Sequence, residues 1–168
     1  MPEPRTLCEL FQQSLTGPPR PAAYLHKVNG TYQPVSSAAF GARVAALATG
    51  LQMLGVQAGE RVAILAENRL EWGLADYAIL HAGAVAVPIY ATLQAATVQA
   101  LLADSGAVAV FATDAAQLAK LTEGGHPTGV RDAILFEGAT PGPSASGLRV
   151  HLLADVEARG HAAHDPAA

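Results

Sequence analysis

The chain has 168 residues, of which 51% are hydrophobic and 14% charged, and its formal net charge is −4. This length suits one domain, and the composition is that of a globular rather than a disordered protein. Nucleic-acid binding requires clustered basic side chains, but the only lysines are Lys27 and Lys120 and the arginines are scattered. We therefore expect no nucleic-acid partner.

The sequence predicts neither export nor a membrane span. The N-terminal residues lack the basic segment followed by an apolar one that a secretory signal requires. The longest apolar run, residues 78–93, is interrupted by His81, Gly83 and Pro88 and is shorter than the ~20 residues of a transmembrane helix. Cys8 is the only cysteine, so no internal disulfide forms. We expect a cytoplasmic protein, with peripheral membrane association left open.

The first third of the chain predicts a helix, a hairpin and a second helix. Apolar residues recur at helical spacing over 6–15. Asn29-Gly30 is the pair that a type I′ turn prefers, so the two short strands around it predict a hairpin. A longer amphipathic helix is predicted over 37–54, and Gly55 ends it.

The next segment predicts a buried strand followed by a helix. The near-continuous apolar run 61–66 is typical of a strand buried on both faces of a parallel sheet. Asn68 is the predicted N-cap of a helix over 69–82, with Glu71 as its capping-box partner. The face that covers the sheet is expected to comprise Leu70, Leu74, Tyr77, Ala78, Leu80 and His81.

The rest of the chain repeats this alternation, which predicts an α/β fold with a mostly parallel sheet and covering helices, preceded by the N-terminal helix and hairpin. Pro88 indicates an edge strand or the end of pairing. We assign residues 1–160 to one α/β unit and 161–168 to a frayed tail. Strands are predicted over 84–89, 107–112, 132–138 and 148–153, helices over 94–104, 114–121 and 153–159, and loops over 123–130 and 139–147.

Phosphate-binding motifs are missing from the positions where they would be expected. Anions usually bind at the loop between a parallel strand and the next helix, but here that loop has no glycine, and Glu67 would repel a phosphate. Neither lysine stands in a P-loop. Helix capping and a solvated helix face account for the nearby carboxylates Glu71 and Asp76.

The C-terminal residues contain the one pair of side chains with metal-ligand spacing. His161 and His164 are three residues apart, with Asp165 beside them, but no third ligand is anchored in the sequence. A catalytic role for Cys8 has no support from neighbouring residues. We therefore assign no catalytic, cofactor-binding or metal-binding residue.

Four segments together resemble a known family. Residues 59–93, GERVAILAENRLEWGLADYAILHAGAVAVPIYATL, resemble the N-terminal region of AMP-forming acyl-CoA synthetases, especially the long-chain fatty-acid–CoA ligases of the adenylate-forming superfamily. TYQPVSSAAFGARVAALATGLQMLGV, LLADSGAVAVFATDAAQLAKL and RDAILFEG resemble the flanking units of that region. The resemblance covers about residues 6–160 and implies the first α/β subdomain of the adenylate-forming fold.

The resemblance also implies a reaction and its cofactors. The full-length enzyme uses ATP, Mg²⁺ and CoA to convert a fatty acid, through an acyl-adenylate, to acyl-CoA, AMP and pyrophosphate. The family's loop ending in Pro-Lys-Gly, its Gly-Tyr-Gly-x-Thr-Glu segment, its ribose-binding Asp and its catalytic Lys have no match here. No site residue is carried over, and the isolated chain is expected to be inactive. Asn68 and Tyr90-Ala91-Thr92 are candidates for lining the cleft, although capping by Asn68 and interface packing by Tyr90 also explain them.

Four interpretations of function remain open at this stage. The chain is part of a fatty-acid ligase, whose partners are the remaining ligase domains or a second copy in a homodimer. Alternatively, it is an interaction or dimerisation module, or part of an enzyme that adenylates another carboxylic acid. A small α/β domain that binds acyl chains or nucleotides is the fourth interpretation.

Overall fold

The computed structural model of the chain describes residues 3–123, 129–140 and 147–164. Parts of the two predicted loops, 124–128 and 141–146, lie outside the described residues, as do 165–168 of the predicted tail. The helices are α1 (Leu7–Thr16), α2 (Ser37–Met53), α3 (Leu70–His81), α4 (Ala95–Ser105), α5 (Ala115–Thr122) and α6 (Leu153–His164). The strands are β1 (Tyr24–Val28), β2 (Thr31–Val35), β3 (Arg61–Leu65), β4 (Val85–Ile89), β5 (Ala107–Ala112), β6 (Asp132–Leu135) and β7 (Arg149–Leu152).

Local signals in the sequence place most of these elements. The Thr6 hydroxyl caps α1 by accepting a hydrogen bond from the Glu9 amide at 3.1 Å. Strands β1 and β2 pair antiparallel, and Asn29 and Gly30 between them have φ of 49° and 83°, as a type I′ turn requires. Ser36 caps α2. The predicted N-terminal helix, hairpin and second helix are thus confirmed.

A five-stranded parallel sheet forms the centre of the molecule, in the order β4-β3-β5-β6-β7. Counted from β3, this is the 2-1-3-4-5 order of doubly wound sheets of the flavodoxin type. The chain leaves β3 towards β4 and then returns across β3 to β5, so the topological switch point lies between the carboxyl ends of β3 and β5. The predicted α/β class with a parallel sheet is confirmed.

Each face of the sheet is covered by its own hydrophobic cluster. One cluster joins the sheet to α1, α2, α3 and α6 through Phe40, Leu47 and Phe111, and the other joins it to α4 and α5 through Leu102 and Val110. Neighbouring strand residues such as Val110 and Phe111 belong to opposite clusters, because successive side chains point to opposite faces. This double burial explains the continuous apolar runs of β3 and β5.

Helix α3 begins differently from its prediction. Arg69, not Asn68, occupies the N-cap, and it makes no side-chain capping bond. Its guanidinium instead binds the Glu71 carboxylate, so Glu71 is an ion-pair partner rather than half of a capping box. The expected buried face is confirmed in part: Leu74 and Ala78 are fully buried, and Leu70 and Tyr77 pack against the same cluster. Leu80 and His81 are only half-buried. The fully buried residues of α3 are Leu74, Ala75, Ala78 and Ile79.

The C-terminal helix is longer than predicted. α6 runs from Leu153 to His164 rather than ending near residue 159, so residues 161–164 belong to a helix and not to a frayed tail. It packs closely on α2, where a Cβ on Gly160 would overlap the carbonyl oxygen of Ala46. Arg43 and Glu157 join the two helices with a 2.8 Å ion pair. The polar, histidine-containing sequence of this segment does not by itself predict that it packs onto the core.

The described parts of the chain contain no helix with the length and apolarity that crossing a bilayer requires.

Candidate functional site

Two side chains are joined by a hydrogen bond at the switch point between β3 and β5. Glu67 follows β3 and Thr113 follows β5, and the Thr113 hydroxyl donates a 2.7 Å hydrogen bond to Glu67 Oε2. Doubly wound proteins commonly bind ligands in the crevice at this position. A carboxylate here repels phosphate, so the geometry agrees with the argument made from Glu67 in the sequence.

Arg69, two residues after Glu67, is neutralised by two carboxylates. Its Nε lies 2.7 Å from Glu71 Oε2, and its terminal nitrogen lies 3.0 Å from Glu137 Oε2 in the loop after β6. The guanidinium carbon also lies 5.7 Å from the centre of the Phe136 ring. Arg69 therefore ties the loop after β3 to the loop after β6 and has no free charge for an incoming anion.

The pKa values of this ion pair reflect a competition between burial and hydrogen bonding. Burial works to lower the pKa of Arg69, but the hydrogen bonds from its guanidinium to Glu71 and Glu137 outweigh burial and raise it. Burial works to raise the pKa of Glu71, yet the hydrogen bond from Arg69, a hydrogen bond from the backbone of Glu71 and the nearby positive charges together outweigh it and lower the pKa. Both groups are held in their charged forms, which makes the ion pair a fixed part of this edge.

One strand away, the same edge of the sheet carries an apolar cleft of about 350 Å³. We call it the Trp72–Tyr90 cleft. Tyr90 is 80% exposed, whereas Ile89 beside it is buried. The cleft is lined by Ala66, Asn68, Trp72, Pro88, Ile89 and Tyr90.

The structure thus brings together two candidates that lie 22 positions apart in the sequence. Asn68 and Tyr90 both line the cleft, because β3 and β4 are parallel neighbours whose carboxyl ends meet. Ala91 is buried and its carbonyl accepts a hydrogen bond from Lys120, while Thr92 is exposed and does not line the cleft. Sequence reasoning missed Trp72, although its position in the first turn of the helix after β3 was a usable signal.

A second, more polar pocket of about 530 Å³ lies on the hairpin side of the Asn68 loop. His26, Lys27 and Tyr32 of the hairpin face Arg69 and Glu71 across it. The Lys27 ammonium lies 5.8 Å from the centre of the Tyr32 ring. Two of the residues that line this pocket, Arg69 and Glu71, thus already form the ion pair described above.

The remaining sequence candidates lie away from this edge. Among the described residues, no group of three or more His, Cys, Asp or Glu side chains is placed to hold a metal ion. His161 lies on α6, while the His164 side chain and Asp165 lie outside the described residues. Burial, and then the Glu9 charge, raise the pKa of the Cys8 thiol, which works against a reactive thiolate. Burial raises the pKa of Asp76.

A buried polar cluster that the sequence analysis missed lies at the opposite, amino edge of the sheet. Asp132, only 1% exposed at the start of β6, accepts two hydrogen bonds from Arg149 at 2.8 and 2.7 Å. His151 Nε2 lies 2.8 Å from the same carboxylate. Both partners belong to β7, so this cluster fastens the edge strand to β6. No sequence motif marked it, because its members are 17 and 19 positions apart.

Comparison with known proteins identifies the family. A family model described as "AMP-binding enzyme" matches residues 11–165, which is most of the chain. The chain belongs to the AMP-binding enzyme family. The family identified from sequence resemblance is thereby confirmed.

Relatives of this AMP-binding family chain include two mycobacterial ligases. It is 41% identical to the long-chain-fatty-acid–CoA ligase FadD15 of Mycobacterium bovis over 121 residues, covering 70% of this chain and 20% of the relative. It is 32% identical to FadD13 of Mycobacterium tuberculosis, also named a long-chain-fatty-acid–CoA ligase, covering 94% of this chain and 29% of the relative. The chain thus spans about a fifth to under a third of the length of these relatives.

Solved structures show the same fold. A protein from Rhodopseudomonas palustris CGA009 described as a long-chain-fatty-acid CoA ligase superposes with a TM-score of 0.69 at 27% identity. The superposition covers 90% of this chain and 36% of the other. The α/β unit described above therefore recurs within that larger protein.

Membership of the AMP-binding family implies ATP, and the carboxyl edge does not fit its phosphates. The crevice at the switch point presents the Glu67 carboxylate, and Arg69 is already paired with two carboxylates. The adjoining cleft offers the neutral amide of Asn68 among apolar side chains. Among the described residues of this edge, no cluster has the oxygen ligands that Mg²⁺ takes.

Proposed function

We propose that this chain is the first α/β subdomain of an AMP-forming ligase that converts long-chain fatty acids to acyl-CoA. The observation that carries the proposal is the 41% identity to FadD15 over 121 residues. The relatives' names support fatty acids over other carboxylic acids, since FadD15 and FadD13 are both named long-chain-fatty-acid–CoA ligases. In the complete enzyme, ATP, Mg²⁺ and CoA convert the fatty acid through an acyl-adenylate. The cytoplasm supplies ATP and CoA, so we propose that location.

Within that enzyme, the subdomain supports the reaction rather than performing it. The carboxyl edge of its sheet, where a doubly wound protein would hold a nucleotide, presents Glu67 and a neutralised Arg69. Stabilising the charge of a phosphoryl group requires preorganised amides or cations. The charges at this edge, as well as the missing sequence motifs, therefore support the proposal that the isolated chain is inactive.

The first test uses the pure chain with ATP, Mg²⁺, palmitate and CoA. We expect pyrophosphate release at the rate of the protein-free blank, because nothing at the carboxyl edge stabilises charge on the phosphates. Release that depends on palmitate and on protein concentration would contradict the supporting role.

The second test replaces the matched 121-residue segment of FadD15 with the corresponding part of this chain. Palmitate-dependent AMP release is expected to persist, because the two segments are 41% identical. The same replacement carrying Gly73→Ala serves as a benign control, because an added Cβ there would lie 3.7 Å from Phe40 Cζ. A well-folded but inactive replacement would contradict the assignment to a fatty-acid ligase.

A further inference from the structure

The pocket between the β1–β2 hairpin and the start of α3 contains a positive charge without a carboxylate partner. The Lys27 ammonium lies 5.8 Å from the centre of the Tyr32 ring, and in the described part of the chain it forms no ion pair. We call this space of about 530 Å³ the hairpin pocket; it is lined by Leu25, His26, Lys27, Tyr32, Asn68, Arg69, Leu70 and Glu71. An ammonium that contacts only a neutral ring is available to an incoming anion.

A single negative charge fits the hairpin pocket better than a double one. Lys27 supplies one free positive charge, whereas the Arg69 guanidinium is bonded to Glu71 in the same lining and to Glu137 outside it. The charged Glu71 carboxylate repels further negative charge, and a phosphate dianion needs more donors than one ammonium. A carboxylate is therefore the anion that this lining accommodates.

Apolar side chains form much of the remaining lining. Leu25 and Tyr32 are 62% and 64% exposed, and Leu70 is half-buried against the core. Covering such side chains with an apolar group removes their surface from water, which is favourable. The volume is also within the range of about 300–1,000 Å³ that small-molecule sites occupy. The matching ligand therefore joins one carboxylate to a short apolar body.

The hairpin fixes the relative position of the charged and apolar groups. Lys27 and Tyr32 are register partners across β1 and β2, next to the turn formed by Asn29 and Gly30. Side chains that are directly opposite in an antiparallel pair lie close together on one face. The opposite wall is held by the ion pairs of Arg69. The pocket is thus formed before a ligand arrives.

We propose that the hairpin pocket binds a small carboxylic acid in its ionised form. The carboxylate lies at the Lys27 ammonium, and the apolar body covers Leu25, Tyr32 and Leu70. The bound acid connects the hairpin to the start of α3. This inference uses only side chains of this chain and does not rest on the proposed function, so its failure leaves the assignment to a fatty-acid ligase intact.

An NMR titration of the amide signals with octanoate tests the proposal. Octanoate joins one carboxylate to a short hydrocarbon chain. We expect saturable shifts in residues 24–32 and 68–71 with a dissociation constant on the order of 1 mM, as suits a ligand of this size. Absence of saturable shifts in these two segments at ~20 mM octanoate, well above that constant, would overturn the proposal.

Three variants test the role of the ammonium. Lys27→Ala is expected to weaken octanoate binding roughly fivefold, the upper range for an exposed ion pair. Lys27→Arg keeps the positive charge and should bind as the original chain does. Arg159→Ala removes the same charge from an exposed position on α6 and should also leave binding unchanged. Equal weakening by Lys27→Ala and Arg159→Ala would overturn the assignment to Lys27.

Two further probes separate the charge of the ligand from its chain. Octanol has the chain without the charge, and inorganic phosphate has the charge without the chain. Each is expected to bind more weakly than octanoate, by roughly fivefold or more. Octanol binding as tightly as octanoate would show a purely apolar site, and phosphate doing so would show a simple anion site. Either result would overturn the assignment to a carboxylic acid.

Hydrogen exchange tests the location of the ligand without any substitution. Octanoate at about ten times its dissociation constant slows every opening that releases it by about tenfold. If the hairpin forms one wall of the site, exchange in the hairpin slows by this factor, as does exchange in β5 through global unfolding. Slower exchange in β5 with unchanged exchange in the hairpin would place the ligand elsewhere and overturn the proposal.

Discussion

At the scale of single residues, ion pairs lie at both edges of the sheet, and they differ in how far they are exposed to water. Arg69 binds Glu71 and Glu137 at the carboxyl edge, where part of its surface meets water. Asp132 binds Arg149 at the amino edge with its own carboxylate wholly buried. A buried carboxylate depends on its partners much more than an exposed one, because water cannot replace them.

The first prediction concerns this difference in burial. Asp132→Ala is expected to lower the free energy of unfolding by about 3 kcal/mol, since it removes the acceptor shared by Arg149 and His151 and opens a space at the start of β6. Glu137→Ala removes an ion pair whose carboxylate side chain is 55% exposed and is expected to cost less than about 1 kcal/mol. Urea unfolding of both variants measures the two values. Equal costs would contradict the role of burial.

The second prediction concerns pH. The folded-state pKa of Glu71 lies below its usual 4.5, so the charged carboxylate stabilises the fold above that pH and the stabilisation is lost as pH falls through the lower folded value. Glu71→Gln is therefore expected to lower stability at pH 7 by about 1 kcal/mol and to flatten its decline in acid. Thermal unfolding between pH 7 and 3 measures this dependence.

Asp76 is expected to affect the pH dependence of stability in the opposite direction in the same experiment. Burial raises its folded-state pKa, so its charged form destabilises the fold at neutral pH and that cost disappears as the carboxyl group takes up a proton. Asp76→Asn is expected to raise stability at pH 7 and to leave it unchanged at low pH. Parallel declines of both variants and the original chain would show that neither carboxylate contributes to the acid response.

At the scale of elements, glycines set how closely the helices approach. α2 and α6 pack with the backbone of one against the other at Gly160, and an added Cβ at Gly50 would likewise overlap Val156. The glycine of α3, Gly73, has free space around it, since an added Cβ would lie 3.7 Å from Phe40 Cζ. The same residue type thus has opposite consequences in two helices.

The third prediction follows from this contrast. Gly160→Ala is expected to cost about 3 kcal/mol or more, because the methyl group forces α6 away from α2 and opens the core around Val156. Gly73→Ala is expected to stabilise the protein by roughly 0.5–1 kcal/mol, because alanine favours a helix interior over glycine. Thermal melts of the two variants should shift in opposite directions, and a stable Gly160→Ala would contradict the close packing.

At the scale of the whole molecule, burial is unevenly distributed between the sheet and the hairpin. The central strands β3 and β5 are covered on both faces, whereas β1 and β2 consist of half-buried and exposed residues. The hairpin contacts the core through Val35 and through Tyr24, whose ring stacks on Phe40 with centroids 4.0 Å apart. Local opening should therefore be easier in the hairpin than in the sheet.

The fourth prediction is made at this scale. Amide hydrogen exchange is expected to be slowest in β3 and β5, where exchange requires global unfolding, and faster in the β1–β2 hairpin through local opening. Tyr24→Ala should accelerate exchange in the hairpin while leaving β5 nearly unchanged. Hairpin amides as protected as those of β5 would show that the two parts unfold together.

Much of the fold could be predicted from the sequence because the relevant forces act between near neighbours in the chain. The N-terminal helix, the Asn29-Gly30 turn and the apolar runs of the strands each depend on a few consecutive residues, and the structure confirms them. The predicted start of α3 was wrong because Arg69 pairs with Glu71 and also with Glu137, in a loop 68 positions away. The length of α6 was wrong because its contact with α2 stabilises a helix that its own sequence only weakly favours.

The amino-acid sequence by itself determined the α/β alternation, the family and the unsuitability of Glu67 for holding a phosphate. The tertiary structure alone decided the order of the strands, and with it the meeting of Asn68 and Tyr90 in one cleft and of Asp132, Arg149 and His151 in one cluster. The physical reason is the range of the interactions involved. Backbone preferences and burial patterns depend on consecutive residues, whereas contacts between strand ends form only once the sheet has assembled.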